Sequence, residues 1–464
     1  MRPVQTTICR RHSGSVLIIS MMFVLVFSAF AFSLATFSGA NLQIADNQQK
    51  ANGARACAES GLEIIRFWLN QVAIPGTTAE SERFSQIAGS LQNSLASNGI
   101  SNITADCDGS SITIPSVVLN SAKGQSFSAF IVPVDSNTLQ ADITGVYGSI
   151  SRTIRVNYVF GTRANSVFDY GVASKGPLSL AGNVELEGIN VSVEASVYIE
   201  SENSNLALSI IGNSQIAGDV SIVNPVANVY LQGGQAGIGG ETGESAIDNH
   251  VTFGVPPTEF PAPIPGYFDH YVRSRIDVNT DTSSDTTFNN ARIVAGTNPS
   301  FSGDVTLNGV VFIEMPNVVT FTGNTTVTGI IVGKGDVGDD SAANQINFLG
   351  TVVSYPLSEL PNTPDFFRIK QETGTFIMAP GFELSFGGNF NTLNGAIAGN
   401  GVKFFGNAGG TINGSIINYS DQEMELGGNS DLYFNRSDTG VVPAGFVPEI
   451  VLQYDPASYS EILL

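Results

Sequence analysis

The sequence predicts an α+β protein in which one long N-terminal transmembrane helix precedes a small antiparallel sheet and a larger, mostly β domain folded as a parallel β-helix. Three patterns support this prediction. Residues 16–37 are apolar apart from three Ser and one Thr. Apolar and polar residues then alternate in several segments between positions 127 and 159. Further along, a short pattern containing Gly followed by Asn or Asp recurs.

The composition limits the classes of protein to which the chain can belong. With 464 residues, the chain is long enough for two or more folded units. Charged residues make up 13%, about half the usual share, and 50 residues are Gly. The net charge of −21 argues against nucleic acid as a partner, because phosphate binding needs a basic surface. Solubility is the simplest explanation of the acidity.

The apolar stretch at 16–37 is long enough to cross a bilayer, since its roughly 22 residues span about 33 Å as a helix. Arg2, Arg10 and Arg11 precede it, and the next basic residue is Lys50. This asymmetry predicts a single pass through the inner (cytoplasmic) membrane, with the C-terminal bulk exported. The residues predicted to form the anchor are Val16, Leu17, Ile18, Ile19, Phe23, Leu25, Phe27, Phe30 and Leu34.

A cleaved secretory signal is the competing interpretation of this stretch. Its small-residue cleavage site would be Ala29-Phe30-Ala31, but that site falls in the middle of the apolar run. Residues 41–72 contain no Pro, and their apolar residues recur at roughly helical spacing. We therefore expect a retained helix that continues to about residue 75.

The N-terminal residues resemble a known family. The segment Arg-Arg-His-Ser-Gly-Ser at 10–15, followed by the apolar run, resembles a type IV prepilin leader. The stretch Ala-Cys-Ala-Glu-Ser-Gly-Leu at 56–62 resembles that of PilX-type minor pilins. The resemblance implies cleavage between Gly14 and Ser15 by a prepilin peptidase, and packing of the helix with other pilin-like subunits. Ile19 stands where major pilins carry Glu, which favours a minor or tip subunit.

The alternating segments follow this helix. Residues 127–132, 139–147 and 150–159 alternate, and Gly148-Ser149 separates the last two, as in an antiparallel hairpin. The family resemblance implies that such a sheet packs on the C-terminal half of the long helix. The sequence is accordingly divided into a basic leader at 1–14, a helix at 15–75, an α/β head at 76–164 and a β-helix at 165–464.

The repeat in the last region predicts its fold. Its seven copies place Gly at positions 182, 212, 303, 323, 388, 406 and 428. Several copies lie about 20 residues apart, and a second Gly usually follows six to eight residues later. Gly and Asn tolerate the backbone of sharp corners, and the apolar residues between corners can stack on the next coil. An antiparallel sandwich is the alternative, but it would need hairpin turns instead of a recurring corner.

Two segments interrupt this repeat. Residues 233–300 contain a Pro-rich stretch, and residues 351–372 contain three Pro. Both are predicted to leave the coil, and such long excursions often carry function. The last 20 or so residues lack the repeat, and we expect them to cap the open end of the β-helix.

The cysteines leave one question open. Cys9 precedes the apolar helix, whereas Cys57 and Cys107 would share the exported, oxidising side. These two residues allow a single disulfide, and the sequence does not decide whether it forms.

No pattern of catalytic or metal-binding residues stands out. The chain has three His, and its acidic residues form no compact recurring cluster. The acidic loop at 277–285 lacks the Gly and the final acidic ligand of a calcium loop. We predict no catalytic residues, no metal and no cofactor.

Three hypotheses follow for function. The first is a membrane-anchored minor subunit of a type IV pilus or related pseudopilus, which displays the β-helix for adhesion to a surface carbohydrate or protein ligand. The second is a surface-anchored carbohydrate-active enzyme, which would need two converging carboxylates. The third is an envelope structural protein with no filament.

Overall fold

A computed structural model describes residues 13–97, 99–104, 106–202, 204–339, 341–437 and 441–462. The basic leader predicted at 1–14 therefore lies almost entirely outside the described residues. The chain forms two compact units. The N-terminal unit comprises the chain up to Val72, Phe84–Val159 and the residues from Leu452. The solenoid unit comprises Ala73–Arg83 and Phe160–Val451.

The first third of the chain contains a long helix and an antiparallel sheet. Its elements are α1 (Ser13–Asn70), β1 (Ala73–Pro75), α2 (Glu80–Ser97), β2 (Asp106–Cys107), β3 (Ile112–Asn120), β4 (Gln125–Asp135), β5 (Thr138–Tyr147) and β6 (Ile150–Arg163). Strands β2 to β6 pair in sequence order, and each pairing is antiparallel. Gly148 adopts φ +60° in the turn between β5 and β6, where Tyr147 pairs with Ile150. The predicted hairpin is confirmed.

The first part of the solenoid unit contains short strands in a repeating order. They are β7 (Val172–Ser174), β8 (Leu178–Gly182), β9 (Glu185–Gly188), β10 (Val197–Ile199), β11 (Leu206–Gly212), β12 (Gln215–Ile216), β13 (Val220–Ile222), β14 (Asn228–Gln232), β15 (Gly237–Ile238), β16 (Glu241–Thr242) and β17 (Val251–Phe253). Helix α3 (Glu244–His250) precedes β17. We call this part the first arm.

The second arm continues the pattern from residue 274. Its strands are β18 (Ser274–Ile276), β19 (Thr286–Ile293), β20 (Ser300–Phe301), β21 (Val305–Ile313), β22 (Val318–Phe321), β23 (Thr325–Gly333), β24 (Gln345–Phe348), β25 (Val352–Ser354), β26 (Thr375–Ala379), β27 (Glu383–Phe386), β28 (Thr392–Asn394), β29 (Ala396–Gly399), β30 (Val402–Phe404), β31 (Gly410–Asn413), β32 (Ile416–Asn418), β33 (Met424–Gly428) and β34 (Asp431–Phe434). Short 3-10 helices lie at Ser121–Lys123, Ser166–Asp169, Ser192–Ala195, Pro265–Tyr271, Ser341–Ala343, Leu357–Glu359 and Ile369–Gln371.

These strands form three sheets of 12, 9 and 7 strands, and successive strands of each coil belong to successive sheets. Among the described residues, the strands within these sheets pair in parallel except for β15 with β16. The predicted parallel β-helix is confirmed.

The coils do not stack in sequence order. Strand β7 pairs on one side with β10 and on the other with β32, and β8 and β9 likewise pair with strands of the last coil. The first coil therefore lies between the two arms. Each arm extends away from it, and residues 254–273 connect β17 at the end of the first arm with β18 at the end of the second.

The interior is lined with aliphatic side chains and a column of aromatic rings. Phe301, Phe321, Phe348, Phe386 and Phe404 are buried on successive coils. Their neighbouring ring centroids lie 4.8–5.1 Å apart, and the ring planes differ by 7–13°. This spacing equals the separation of paired strands, because each ring stacks on its equivalent in the next coil.

Glycines form the corners, as the repeat predicts. Gly182 pairs with Gly212 on one side and with Gly428 on the other. A Cβ atom on Gly323 would lie 2.2 Å from the carbonyl oxygen of Gly303, so a side chain there would push the coils apart. Gly350 occupies the next place in this stack and was not recognised in the repeat.

The two predicted excursions have a different role from the one expected. The first begins later than residue 233 and ends earlier than residue 300, since β15 and β17 still belong to the first arm and β18 and β19 belong to the second. Phe260 and Phe268 from this segment, and Phe366 from the second, are buried in one hydrophobic cluster with Val310 and Phe312 of the 12-stranded sheet. Both excursions thus cover apolar surface.

The C-terminal residues also differ from the prediction. Strand β35 (Glu449–Ile462) does not cap the β-helix, because it lies next to β6 in the antiparallel sheet. The Ser458 hydroxyl accepts a 2.7 Å hydrogen bond from the backbone N–H of Asn157. The residues from Leu452 thus belong to the N-terminal unit and not to the region assigned as β-helix.

Cys57 and Cys107 are free thiols, so the structure does not contain the disulfide that the sequence left open. Cys107 pairs with Ile112, which in turn pairs with Ile131 of β4, whereas the Cys57 sulfur accepts the backbone N–H of Ser126. Ile131 and Ser126 lie five residues apart on β4, so the two cysteines lie beside points of this strand that are about 17 Å apart. A disulfide requires Cα atoms within about 7 Å.

We expect Cys107 to be alkylated at least about tenfold faster than Cys57 in the native, detergent-solubilised chain. Cys57 is only 3% exposed, and burial raises the pKa of its thiol. The measurement is the rate of iodoacetamide labelling of each peptide, followed by mass spectrometry. Labelling in denaturant is the control and should make the two rates equal. A peptide that joins the two cysteines under non-reducing conditions would contradict the structure.

Candidate assembly and anchoring helix

The N-terminal part of α1 exposes a continuous apolar surface. All nine residues predicted to form the anchor are between 53% and 71% exposed: Val16, Leu17, Ile18, Ile19, Phe23, Leu25, Phe27, Phe30 and Leu34. They lie on all sides of the helix, whereas a helix that covers a soluble core is apolar on one side. An apolar surface of this size needs a covering, because water does not solvate it favourably.

The helix is long and apolar enough to cross a bilayer, by length and composition, and none of its most apolar 18-residue window is buried. This finding is compatible with a membrane anchor or with a signal sequence. The Ser20 hydroxyl donates to the carbonyl of Leu17, and the Thr36 hydroxyl donates to that of Phe32. Such bonds satisfy the hydroxyls within the helix, as a hydrocarbon environment requires.

The first charged residues after this surface are paired with each other. Lys50 Nζ lies 2.6 Å from an Asp46 carboxylate oxygen, one helical turn away. Between Val16 and these two residues the helix has no charged side chain. The apolar surface of α1 therefore ends just before the part of the helix that packs on the sheet.

The C-terminal part of α1 packs on β4 and β5 through small residues. Ala54, Ala58 and Leu62 are buried. A Cβ atom on Gly145 of β5 would lie 2.2 Å from the Ala54 carbonyl oxygen and 2.2 Å from the Ala58 nitrogen. A Cβ atom on Gly61 would lie 2.7 Å from the ring of Phe127. The helix and sheet thus approach closely only because these positions lack larger side chains.

This packing explains the residues at 56–62 that suggested the family resemblance. Cys57, Ala58, Gly61 and Leu62 are buried, while the intervening Glu59 and Ser60 are exposed. Glu59 pairs with Arg55 at 3.0 Å on the exposed side of the helix. The spacing of small and apolar residues in this motif therefore matches the face of α1 that contacts the sheet.

The predicted processing site lies at the beginning of the described chain. Gly14 and Ser15 fall within α1, but their exposure lies outside what the structure describes. The structure brings the anchor residues together on one helix. It leaves the predicted cleavage between Gly14 and Ser15 as a prediction.

No group of three or more His, Cys, Asp or Glu side chains that could hold a metal ion occurs in the described part of the chain. In the acidic loop at 277–285, the Asp281 carboxylate accepts hydrogen bonds from Ser283 and Ser284 within its own turn. These bonds lower the pKa of Asp281 to about 2. The carboxylate therefore stabilises the turn.

No protein-family model and no curated protein matches this sequence. A comparison of structures finds similarity to the crystal structure of the competence-associated pilin ComZ from Thermus thermophilus. The similarity covers 89% of this chain and 98% of that chain, with 10% sequence identity and a TM-score of 0.23. A TM-score this low does not establish a shared fold, so the interpretation of this chain depends on its own residues.

Proposed function

We propose that this chain is a membrane-anchored, pilin-like minor subunit of a type IV pilus or a related pseudopilus. Its single pass lies in the inner membrane, and its exported solenoid serves adhesion or partner binding. Other pilin-like subunits and a prepilin peptidase are the proposed partners of α1. The observation on which the proposal depends is the division of α1 into an exposed apolar part and a part that packs on an antiparallel sheet.

A helix of this kind can serve both membrane insertion and filament assembly. The 58 residues of α1 span about 87 Å, and roughly 22 of them suffice to cross a bilayer. Because the helix is continuous, the apolar part is joined directly to the folded head. The same apolar surface that contacts lipid before assembly could be covered by neighbouring helices in a filament.

Ile19 supports a minor or tip position. A carboxylate within a bilayer is costly unless a partner compensates it, so a subunit that carries one needs a matching subunit next to it. Ile19 is 53% exposed on α1, and because it is uncharged it needs no compensating partner in the bilayer. The resemblance at 10–15 and 56–62 supports the same assignment.

We also propose that the chain has no catalytic activity. A carbohydrate-cleaving β-helix would need two carboxylates on either side of the scissile bond. In the groove described below, the described lining residues include one carboxylate, Glu372, which accepts hydrogen bonds from the hydroxyls of Tyr267 and Tyr271 at 2.7 Å each. In this groove the arrangement favours binding over catalysis. A second groove, at the first coil, is lined by the carboxylates of Glu200, Glu202, Asp421 and Glu423, and the restriction to one carboxylate does not apply there.

Processing at Gly14 tests the proposal. We expect the mature protein purified from membranes to begin at Ser15, and the Gly14→Val variant to retain the leader and to be excluded from filaments. The measurement is the N-terminal peptide by mass spectrometry, together with the amount of protein in sheared filaments.

Ser13→Ala is the matched control, since it alters the neighbouring residue and keeps Gly14. It should be processed as the wild type is. A mature protein that begins at Phe32 would indicate ordinary secretion, and normal assembly of Gly14→Val would support an envelope protein without a filament. Either result would exclude the proposed role.

A further inference from the structure

A groove crosses one corner of the solenoid in the second arm. Its volume is about 400 Å³, within the range of sites that bind small ligands. Residues from three successive coils line its floor: Asn394-Gly395-Ala396, Asn413-Gly414-Ser415 and Asn435-Arg436-Ser437. Asn394 and Asn413 are direct partners in the register of β28 and β31. The groove therefore runs across the strands.

The three asparagines form a ladder of amide hydrogen bonds. Asn413 Nδ2 donates to Asn394 Oδ1 at 2.8 Å, and Asn435 Nδ2 donates to Asn413 Oδ1 at 3.2 Å. Asn190 of the first coil extends the ladder by donating to Asn435 Oδ1 at 3.3 Å. These bonds fix the orientation of each amide, and strand spacing places the first and third about 10 Å apart.

The ladder does not use the full hydrogen-bonding capacity of its central members. A carboxamide has two N–H donors and an oxygen with two lone pairs. Within the described part of the chain, Asn413 uses one donor and one lone pair, and the Asn435 amide uses one donor. All three side chains are half-buried and line the groove. Asn413 can therefore both donate to and accept from a ligand that lies along the groove. Asn435 can donate, because its oxygen already accepts from Asn190 and from the Ser437 N–H, and Asn394 can accept, because its amide already donates to Ser354.

The rest of the floor is polar but internally satisfied. The buried Ser415 hydroxyl donates to the carbonyl of Phe168 at 3.0 Å, and the buried Thr375 hydroxyl donates to that of Ala444 at 2.7 Å. A Cβ atom on Gly395 would lie 2.5 Å from the Thr375 carbonyl carbon. The floor is thus close-packed and fixed, which lowers the entropic cost of binding.

The walls of the groove add apolar surface and two cations, Lys370 and Arg436. Leu357 and Pro356 belong to the second excursion, and Val441 and Pro443 lie in the segment after the last coil. Arg436 donates to the carbonyl oxygens of Glu194 at 2.9 Å and Val193 at 2.8 Å, and it belongs to no ion pair among the described residues. A guanidinium has five N–H groups, so Arg436 can still donate to a ligand oxygen.

These features restrict the class of ligand. A peptide that binds by strand addition needs an open strand edge, but β29 and β31 are paired on both sides. Strand β28 ends the 7-stranded sheet, and there the Asn394 N–H already donates to the Ser354 hydroxyl at 3.2 Å. Nucleic acid conflicts with the net charge of −21. A sugar hydroxyl both donates and accepts, which suits the Asn413 amide with its one unused donor and one unused lone pair. The carbon faces of a sugar ring suit Leu357 and the prolines of the walls.

We propose that this groove binds a hydroxyl-rich oligosaccharide, whose successive sugars lie along the ladder of Asn394, Asn413 and Asn435. This inference rests on the proposed role in adhesion, and it gives that role a site and a class of ligand. A neutral glycan and a uronic acid glycan share the hydroxyl chemistry, and a preference for the latter would reflect a contact with Arg436.

The test is binding of the full-length protein, in detergent micelles, to a printed array of neutral and acidic oligosaccharides. The strongest array ligand is then titrated by calorimetry. We expect Asn413→Leu to weaken binding about tenfold, the effect of losing one or two hydrogen bonds. Leu357→Trp, which fills the groove from its wall, should also weaken binding and leaves the ladder intact.

Asn183→Leu is the matched control. Asn183 lies in a second amide ladder at another corner, where it donates to Asn429 at 3.2 Å and accepts from Asn213 at 2.9 Å. Its loss removes the same number of ladder bonds and should leave binding unchanged. The proposal is overturned if no oligosaccharide binds above the level of Asn413→Leu, or if Asn183→Leu weakens binding equally. Filament incorporation, measured separately, shows whether the role of the subunit fails independently of the groove.

Discussion

The Phe348→Ala variant is expected to lower the free energy of unfolding of the solenoid unit by about 3–5 kcal/mol. Phe348 is fully buried and stacks between Phe321 at 5.0 Å and Phe386 at 5.1 Å. Its removal would leave a cavity between two coils whose backbones are fixed by parallel pairing on both sides. Because the neighbouring rings belong to other strands, they cannot close the gap without shifting whole coils.

Urea unfolding followed by far-UV circular dichroism measures this loss, since the solenoid dominates the β signal. Phe367→Ala is the control within the same unit, because Phe367 is 68% exposed. It should change the free energy of unfolding by less than about 0.5 kcal/mol. Equal effects of the two substitutions would show that the aromatic column does not stabilise the solenoid.

Gly145→Val is expected to destabilise the N-terminal unit by about 3 kcal/mol, at the upper end of the cost of overpacking. The added side chain would collide with the backbone of α1 at Ala54 and Ala58, and backbone atoms cannot rotate away. The helix would have to move off the sheet, so contacts of neighbouring residues such as Gly61 with Phe127 would weaken as well.

Trp68 is the only tryptophan and is buried in this unit, so its fluorescence during urea unfolding is the measurement. Gly89→Ala is the control. Gly89 lies within α2, and nothing lies within 4 Å of an added Cβ atom. This substitution should raise the free energy of unfolding by about 0.5–1 kcal/mol, because Ala favours a helix over Gly. If Gly145→Val unfolds at the same urea concentration as the wild type, the close packing of α1 on β5 is contradicted.

The sequence predicts the elements of this fold better than the order in which they stack. Gly182, Gly212 and Gly428 were recognised as equivalent corners, and they do lie next to one another. Nothing in the repeat indicates that Gly182 lies between the other two, because every coil presents the same kind of corner and apolar face to either neighbour. The order depends on the connection at 254–273, whose path is a tertiary property.

The groove shows a similar limit. Gly395 and Gly414 are two of the second glycines that follow a repeat corner, seven residues after Gly388 and eight after Gly406, and the Asn that precedes each one is a sequence signal for the ladder. The walls could not be predicted, because Leu357 and Val441 are distant in sequence and meet the floor only in the folded chain. The aromatic residues of the excursions, Phe260, Phe268 and Phe366, are the sequence feature that indicates their covering role. The neighbouring prolines instead favoured the prediction that these segments leave the coil.

The pairing of the first coil with the last has a consequence for the timing of folding. Asn418 Nδ2 donates to Ser174 Oγ at 3.0 Å across this junction, although the two residues are 244 positions apart. A chain that is synthesised from its N-terminus presents β7, β8 and β9 long before their partners exist. Contacts so distant in sequence form slowly, and the open coil is a surface for misassembly until they do. Maturation of the solenoid is therefore complete only when nearly the entire chain has been made.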